Sequence, residues 1–158
     1  MIPIFIITCD RLKMLKESIQ SYRDNIKTPF EIVICDQGST FKPTVEFLKK
    51  MEADGTKIYW RGNVNAGREK NLPRDNQLIN ENIQDYFKTH PESNYIVTDP
   101  DIALDGVDED ILEAYSYFLN SMPQRRVVGP MLRIDDIPDY YPMKKQVIRG
   151  RMHRGFHA

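Results

Sequence analysis

Short apolar runs alternate along this chain with longer stretches in which apolar residues recur every three or four positions. Ile4 to Thr8, Glu31 to Cys35, Lys57 to Arg61, Tyr95 to Thr98 and Arg126 to Leu132 read as strands. Between them the period changes. The first helical pattern opens after Asp10, a residue suited to an N-cap, and places Leu12, Leu15, Ile19 and Tyr22 on one face. A second follows Pro43 and turns Val45, Leu48 and Met51 inward; a third has Pro73 near its start and buries Ile79, Ile83, Tyr86 and Phe87. The fourth follows Asp108, carries Ile111, Leu112, Tyr115, Phe118 and Leu119 as its stripe, and stops short of Pro123.

Strand–helix alternation of this kind predicts an α/β fold: a mostly parallel central sheet with helices on both faces, since right-handed crossovers leave few other arrangements. The 158 residues match one domain spanning 1–158, with no repeat, low-complexity segment or linker to divide it. In such sheets ligands bind over the carboxyl ends of the strands. Polar residues gather at those ends: Thr8, Asp10 and Arg11 after the first strand; Asp36, Gln37, Gly38 and Ser39 after the second; Asn63 to Arg68 after the third; Asp99 and Asp101 after the fourth. The run Tyr95 to Leu104 says most, because an apolar segment delivers two carboxylates, two residues apart, to a strand end. Paired carboxylates there can hold a divalent cation that grips a diphosphate.

Charge and composition narrow the classes. A net charge of -1 implies no global attraction to nucleic acid, and 41% hydrophobic content excludes a disordered chain. A local basic series does occur from Arg125 and Arg126 through Arg133, Lys144, Lys145, Arg149, Arg151 and Arg154, fit for phosphate, an anionic partner or a solvated surface. Cys9 and Cys35 cannot form the disulfide framework of a small secreted domain, and are expected to be reduced and buried. The apolar start, Met1 to Ile7, is too short to span a bilayer and lacks a basic leader, so it reads as strand one of a cytoplasmic protein without a transmembrane segment.

Four motifs, each after an expected strand, resemble those of GT-A fold glycosyltransferases of the family 2, Asp-x-Asp type. Ile7-Thr8-Cys9-Asp10-Arg11 is similar to that family's Thr-x-Asn-Arg turn, and Ile34-Cys35-Asp36-Gln37-Gly38-Ser39-Thr40 to its Asp-x-Gly-Ser-Thr turn. Asn65-Ala66-Gly67 and Asp99-Pro100-Asp101 complete the set, so that the resemblance covers nearly the whole chain. It implies a nucleotide-sugar-binding GT-A domain that lacks most of the usual C-terminal acceptor segment. The implied activity is metal-dependent transfer of a sugar from a UDP- or GDP-sugar to a glycan or other hydroxyl acceptor, with inversion.

The resemblance also implies roles for individual residues. Thr8 and Arg11 would line the base pocket, Asp10 would belong to the same nucleotide-sugar site, and Asp36 would accept a hydrogen bond from the base. Gly67 permits close backbone approach, and Arg68, Lys70 and Arg74 supply cations near the sugar diphosphate. The family's Arg-Asn pair has its nearest counterpart in Arg74-Asp75, displaced to follow Pro73. Asp99 would contact ribose or a metal-bound water, and Asp101 would coordinate Mn2+ or Mg2+, with His153 or His157 as candidates for the same shell. Asp135 and Asp136 are candidates for the base that deprotonates the acceptor.

Each role has a plainer counterpart. Asp36 suits an Asx turn at the Gly38-Ser39 bend, Thr8 and Asp10 suit capping of the first helix, and Asp99 suits a turn whose geometry Pro100 fixes. Two other functional classes are consistent with acidic strand ends. A sugar-phosphate nucleotidyltransferase would carry an early Gly-rich phosphate loop, whereas no glycine lies between Ile7 and Leu12. A non-catalytic Mg2+-binding module would use Asp10, Asp36 and Asp99 without needing the cations from Arg68 to Arg74.

Overall fold

A computed structural model describes residues 1–61, 75–91, 94–130, 137–146 and 148, with the backbone alone for 75–77. Its strands are β1 (Ile2–Thr8), β2 (Phe30–Asp36), β3 (Lys57–Trp60) and β4 (Ile96–Thr98). Interleaved with them are α1 (Leu12–Asn25), α2 (Lys42–Ala53), α3 (Asp75–Phe87) and α4 (Ile111–Ser121). The strands form one sheet in the order β3-β2-β1-β4, and every pairing is parallel. The expected α/β architecture is therefore present.

Strand alternation decides which helix packs where. Ile4, Ile6, Ile32 and Ile34 point to one face, where Leu15, Ile19 and Tyr22 of α1, Leu48 and Met51 of α2 and Leu112 of α4 cover them. The intervening Phe5, Val33 and Cys35 point to the other face and pack on Ile79, Ile83 and Tyr86 of α3. Phe5 is fully buried, with its ring edge-to-face on Tyr86 at 5.4 Å and on Tyr95 at 6.1 Å. Helices thus lie on both faces. α3 joins one sheet edge, β3, to the opposite edge, β4, which requires it to cross over β2 and β1.

Three expectations need correction. No strand forms over 126–130: the segment holds only Val127 and Val128 before Gly129-Pro130, Val127 is 85% exposed, and proline has no N–H for a ladder. Residues 131 and 132 lie outside the described residues. In α4 only Leu112 is buried, while Tyr117 and Phe118 are exposed, so its apolar stripe is mostly uncovered among the described residues. Asp10 does not cap α1, which starts at Leu12 behind Arg11 with no side-chain cap.

Neither cysteine is in a disulfide; Cys35 is buried as expected, whereas Cys9 is only partly so. Burial pushes the Cys35 thiol up to about 11, against the smaller opposing effects of a hydrogen bond with Asn82 and the Arg61 charge. At pH 8 only about one Cys35 in a thousand is then thiolate, the reactive form. Iodoacetamide at that pH is expected to leave Cys35 unmodified in the native protein and to label it after denaturation. Mass-spectrometric peptide mapping checks this, and equal labelling in both states would contradict the buried position.

Candidate functional site

Because every strand runs the same way, β1, β2, β3 and β4 all end on one side of the sheet. The strand order reverses at β1: the chain steps from β1 to β2 and β3 on one side, and β4 then adds on the other. A crevice at such a switch point is the usual ligand position in open α/β sheets. Here the switch lies between β1 and β4. The turns flanking it carry Thr8, Asp10 and Arg11 on one side and Asp99, Pro100 and Asp101 on the other.

Those two turns meet. Arg11 Nη1 donates to Asp101 Oδ2 at 3.0 Å, an ion pair whose side chains stay 55% and 42% exposed. The segment after Asp101 is held by α1: Ser18 Oγ donates to the Ile102 carbonyl at 2.7 Å, and the Leu104 N–H donates to Ser21 Oγ at 3.0 Å. Both serines are buried on the core side of the helix, between Leu15, Ile19 and Tyr22. The Asp101 carboxylate is thus met by the Arg11 side chain, and the segment that follows it is tied to two serine hydroxyls of α1. Asp99 is exposed, Pro100 is buried, and the Thr98 hydroxyl donates to the Asp99 carbonyl at 3.2 Å. Asp99 and Asp101 accordingly flank a buried proline on the turn after β4.

The β1 and β2 turns are also tied together. Asp10 has a positive φ of 54°, a left-handed conformation that aspartate tolerates better than most residues. Its carboxylate accepts from the Thr40 N–H at 2.9 Å, the Phe41 N–H at 2.7 Å and the Thr40 hydroxyl at 3.2 Å. Phe41 is the N-cap of α2 and has no side-chain acceptor of its own, so Asp10 caps α2 rather than α1. The Asp10 N–H in turn donates to Ser39 Oγ at 3.0 Å.

Asp36 is buried and forms the Asx turn. Its Oδ2 accepts from the Gly38 N–H at 3.0 Å, and both oxygens accept from the Ser39 N–H, at 3.2 and 3.1 Å. Gly38 has φ of 87°, which an L side chain would adopt only with strain. Gln37, between them, donates its backbone N–H to the Thr8 carbonyl at 2.8 Å. Thr8 pairs in register with Asp36, which places Thr8, Asp36 and Gln37 side by side at the end of β1 and β2.

The structure therefore brings together Thr8, Asp10, Arg11, Asp36 and Asp101, with Asp99 beside them on the β4 turn. Gly67, Arg68, Lys70, Arg74, Asp135, Asp136, His153 and His157 lie outside the described residues. Among the described residues no group of three or more His, Cys, Asp or Glu side chains is assembled as a metal-ligand set. Asp99 and Asp101 are hard oxygen donors, the class that suits Mg2+ or Mn2+, and the Asp101 carboxylate is paired with Arg11. Sequence reading missed the anchoring serines; two small polar residues on the apolar side of α1 were their only signal.

No family model matches the sequence, and no curated protein does. Among solved structures, a crystal structure of S. aureus TarS, residues 1–349, aligns over 82% of this chain with 17% identity and a TM-score of 0.47. The alignment covers 38% of that chain. A likeness of this degree does not bear on activity. No helix among the described residues is long and apolar enough to cross a membrane.

Proposed function

We propose that this chain binds a nucleoside-diphosphate sugar over the carboxyl ends of β1, β2 and β4 and contributes to moving its glycosyl group onto a hydroxyl acceptor, with inversion. The single observation that carries the reading is the meeting of Arg11 and Asp101 where the strand order reverses, the place at which open α/β sheets usually hold a ligand. Sequence motifs resembling those of Asp-x-Asp glycosyltransferases supply the three turns around it.

Asp99 and Asp101 would hold Mn2+ or Mg2+, which when bound neutralises the departing diphosphate. Asp101 first has to leave Arg11, and the exposure of that pair makes the exchange inexpensive. Arg11, once released, remains at the crevice as a fixed positive charge for the diphosphate, and Asp10 keeps its turn in place. Thr8 and its neighbours on β2 take the base. Arg68, Lys70 and Arg74 would reach the sugar diphosphate, and Asp135 or Asp136 would deprotonate the acceptor hydroxyl, whose oxygen attacks the anomeric carbon as the diphosphate leaves.

The reading is tested by calorimetric titration with UDP and GDP, each with and without Mn2+. Binding of at least one of them, strengthened about tenfold or more by the cation, is expected. Absence of cation-dependent binding to both would sink the proposal. A phosphoacceptor module would instead take Mg2+ and phosphoryl donors and ignore both nucleotides.

A further inference from the structure

Two polar atoms at the carboxyl end of the sheet are out of water and have no hydrogen-bond partner: Gln37 Oε1 and Thr8 Oγ1. Their residues are 6% and 2% exposed. They are also neighbours, since the Gln37 N–H is bonded to the Thr8 carbonyl where β1 and β2 end. Buried acceptors are nearly always satisfied in folded proteins, so two orphans in one place call for a reason. Thr28 and Thr44 also carry unpartnered hydroxyl oxygens, but Thr28 precedes β2 at the opposite end of the sheet and Thr44 lies inside α2.

The neighbouring carboxylate does not share this condition. Both oxygens of Asp36 already accept backbone N–H groups from the turn it closes. Part of that carboxylate's acceptor capacity thus goes to the turn, whereas the amide oxygen next to it is wholly unused.

We propose that Gln37 is the side chain that reads the base of the nucleotide, an inference that rests on the nucleotide-sugar reading above. Its amide oxygen accepts the N–H that uracil presents at N3 or guanine at N1, and its amide N–H donates to the carbonyl beside it. A primary amide carries one acceptor and one donor side by side, the complement of that N–H and C=O edge. To reach the base the Gln37 amide has to turn out of its dry position about its own side-chain torsions. Binding then satisfies an atom that the free protein leaves unpaired, so the free protein carries a cost that the nucleotide relieves.

The experiment compares the wild-type chain with Gln37→Leu and Gln37→Asn, titrated with UDP, GDP, their derivatives methylated at N3 or N1, and Mn2+ pyrophosphate as a probe without a base. Thermal midpoints are measured alongside. Gln37→Leu is expected to weaken the nucleotide that the wild type binds about tenfold or more, to leave pyrophosphate unchanged, and not to lower the midpoint. Gln37→Asn, which keeps the amide but withdraws it by one methylene, weakens the same nucleotide to a smaller extent. Base methylation weakens the wild type and adds nothing in Gln37→Leu. Unchanged nucleotide affinity in Gln37→Leu, or an equal loss of pyrophosphate, overturns the assignment. A lowered midpoint with nucleotide affinity intact overturns it too, by making Gln37 a packing residue. A wild type that takes pyrophosphate but neither nucleotide removes the wider reading and this inference together.

Discussion

Asp101→Ala is expected to abolish the cation-dependent part of nucleotide binding and to lower glycosyl transfer at least about 100-fold, or about 2.7 kcal/mol of transition-state stabilisation. Of the two carboxylates assigned to the cation, only Asp99 then remains, and a hard cation depends on such oxygen donors. Stability should scarcely change, because the Arg11–Asp101 pair is roughly half exposed and such pairs contribute about 0–1 kcal/mol. Removal of Asp101 also leaves Arg11 without its partner. Metal-free binding of the diphosphate should therefore persist or strengthen while the increment due to Mn2+ disappears. The companion Arg11→Ala moves the other way: it frees Asp101 and raises Mn2+ affinity in the absence of nucleotide. Titration of UDP and GDP with and without Mn2+ for both variants checks the pair of outcomes. Full cation dependence in Asp101→Ala would remove the metal role assigned to this carboxylate.

The sheet was legible because its strands are apolar on both faces and its helices are apolar on one, two periods that seldom imitate each other over a whole segment. Ile4 to Thr8, Glu31 to Cys35 and the stripe Ile79, Ile83, Tyr86 were readable for that reason, and their apolar side chains take part in the two packed layers. The ends of elements were less so. Phe30 and Asp36 extend β2 beyond its apolar stretch because they pair with Ile2 and Thr8, and a ladder partner is not a property of the local sequence. The same holds for Arg126 to Pro130, where two valines resemble a strand but find no neighbour among the described residues. α4 was placed correctly by period, yet Tyr117 and Phe118 remain exposed, since a stripe records what can be buried and not whether a partner covers it.

At the site, residue types at strand ends were legible and their partners were not. The β4 turn was marked by its two aspartates, but that Asp101 would face Arg11, 90 residues earlier, depends on β4 lying beside β1. Asp36 shows the opposite case. Its Asx turn was readable from Gly38-Ser39 alone, because the hydrogen bonds involved span two and three residues. Gln37 was visible only as one more polar residue after β2, for an unpaired amide shows itself only once its surroundings are in place. Ser18 and Ser21 were detectable in principle as small polar residues on a buried helix face, although what they bind lies more than 80 residues away.

Asp10→Ala should cost about 2–3 kcal/mol of stability, from two separate losses. The first is conformational: alanine at φ of 54° adopts the left-handed region without the local hydrogen bonding that makes aspartate tolerable there, at about 1 kcal/mol. The second is the cap of α2. One carboxylate satisfies the Thr40 and Phe41 N–H groups and sits at the positive end of the helix dipole, and neither Phe41 nor Lys42 nor Pro43 can replace it. For a chain of 158 residues that loss corresponds to a fall of about 5–10 °C in thermal midpoint. Two further variants separate the contributions. Asp10→Asn keeps one acceptor oxygen and a side chain that accepts the left-handed conformation, so its loss should be less than half as large. Asp10→Gly removes the conformational strain but not the missing cap, and falls between them. Because Asp10 also joins the turn carrying Arg11 to the turn carrying Ser39, Asp10→Ala should weaken nucleotide binding even well below its melting range, where the chain is still folded. A midpoint within a degree of wild type, or an Asp10→Asn variant as unstable as Asp10→Ala, would show that this carboxylate does not hold the two turns together.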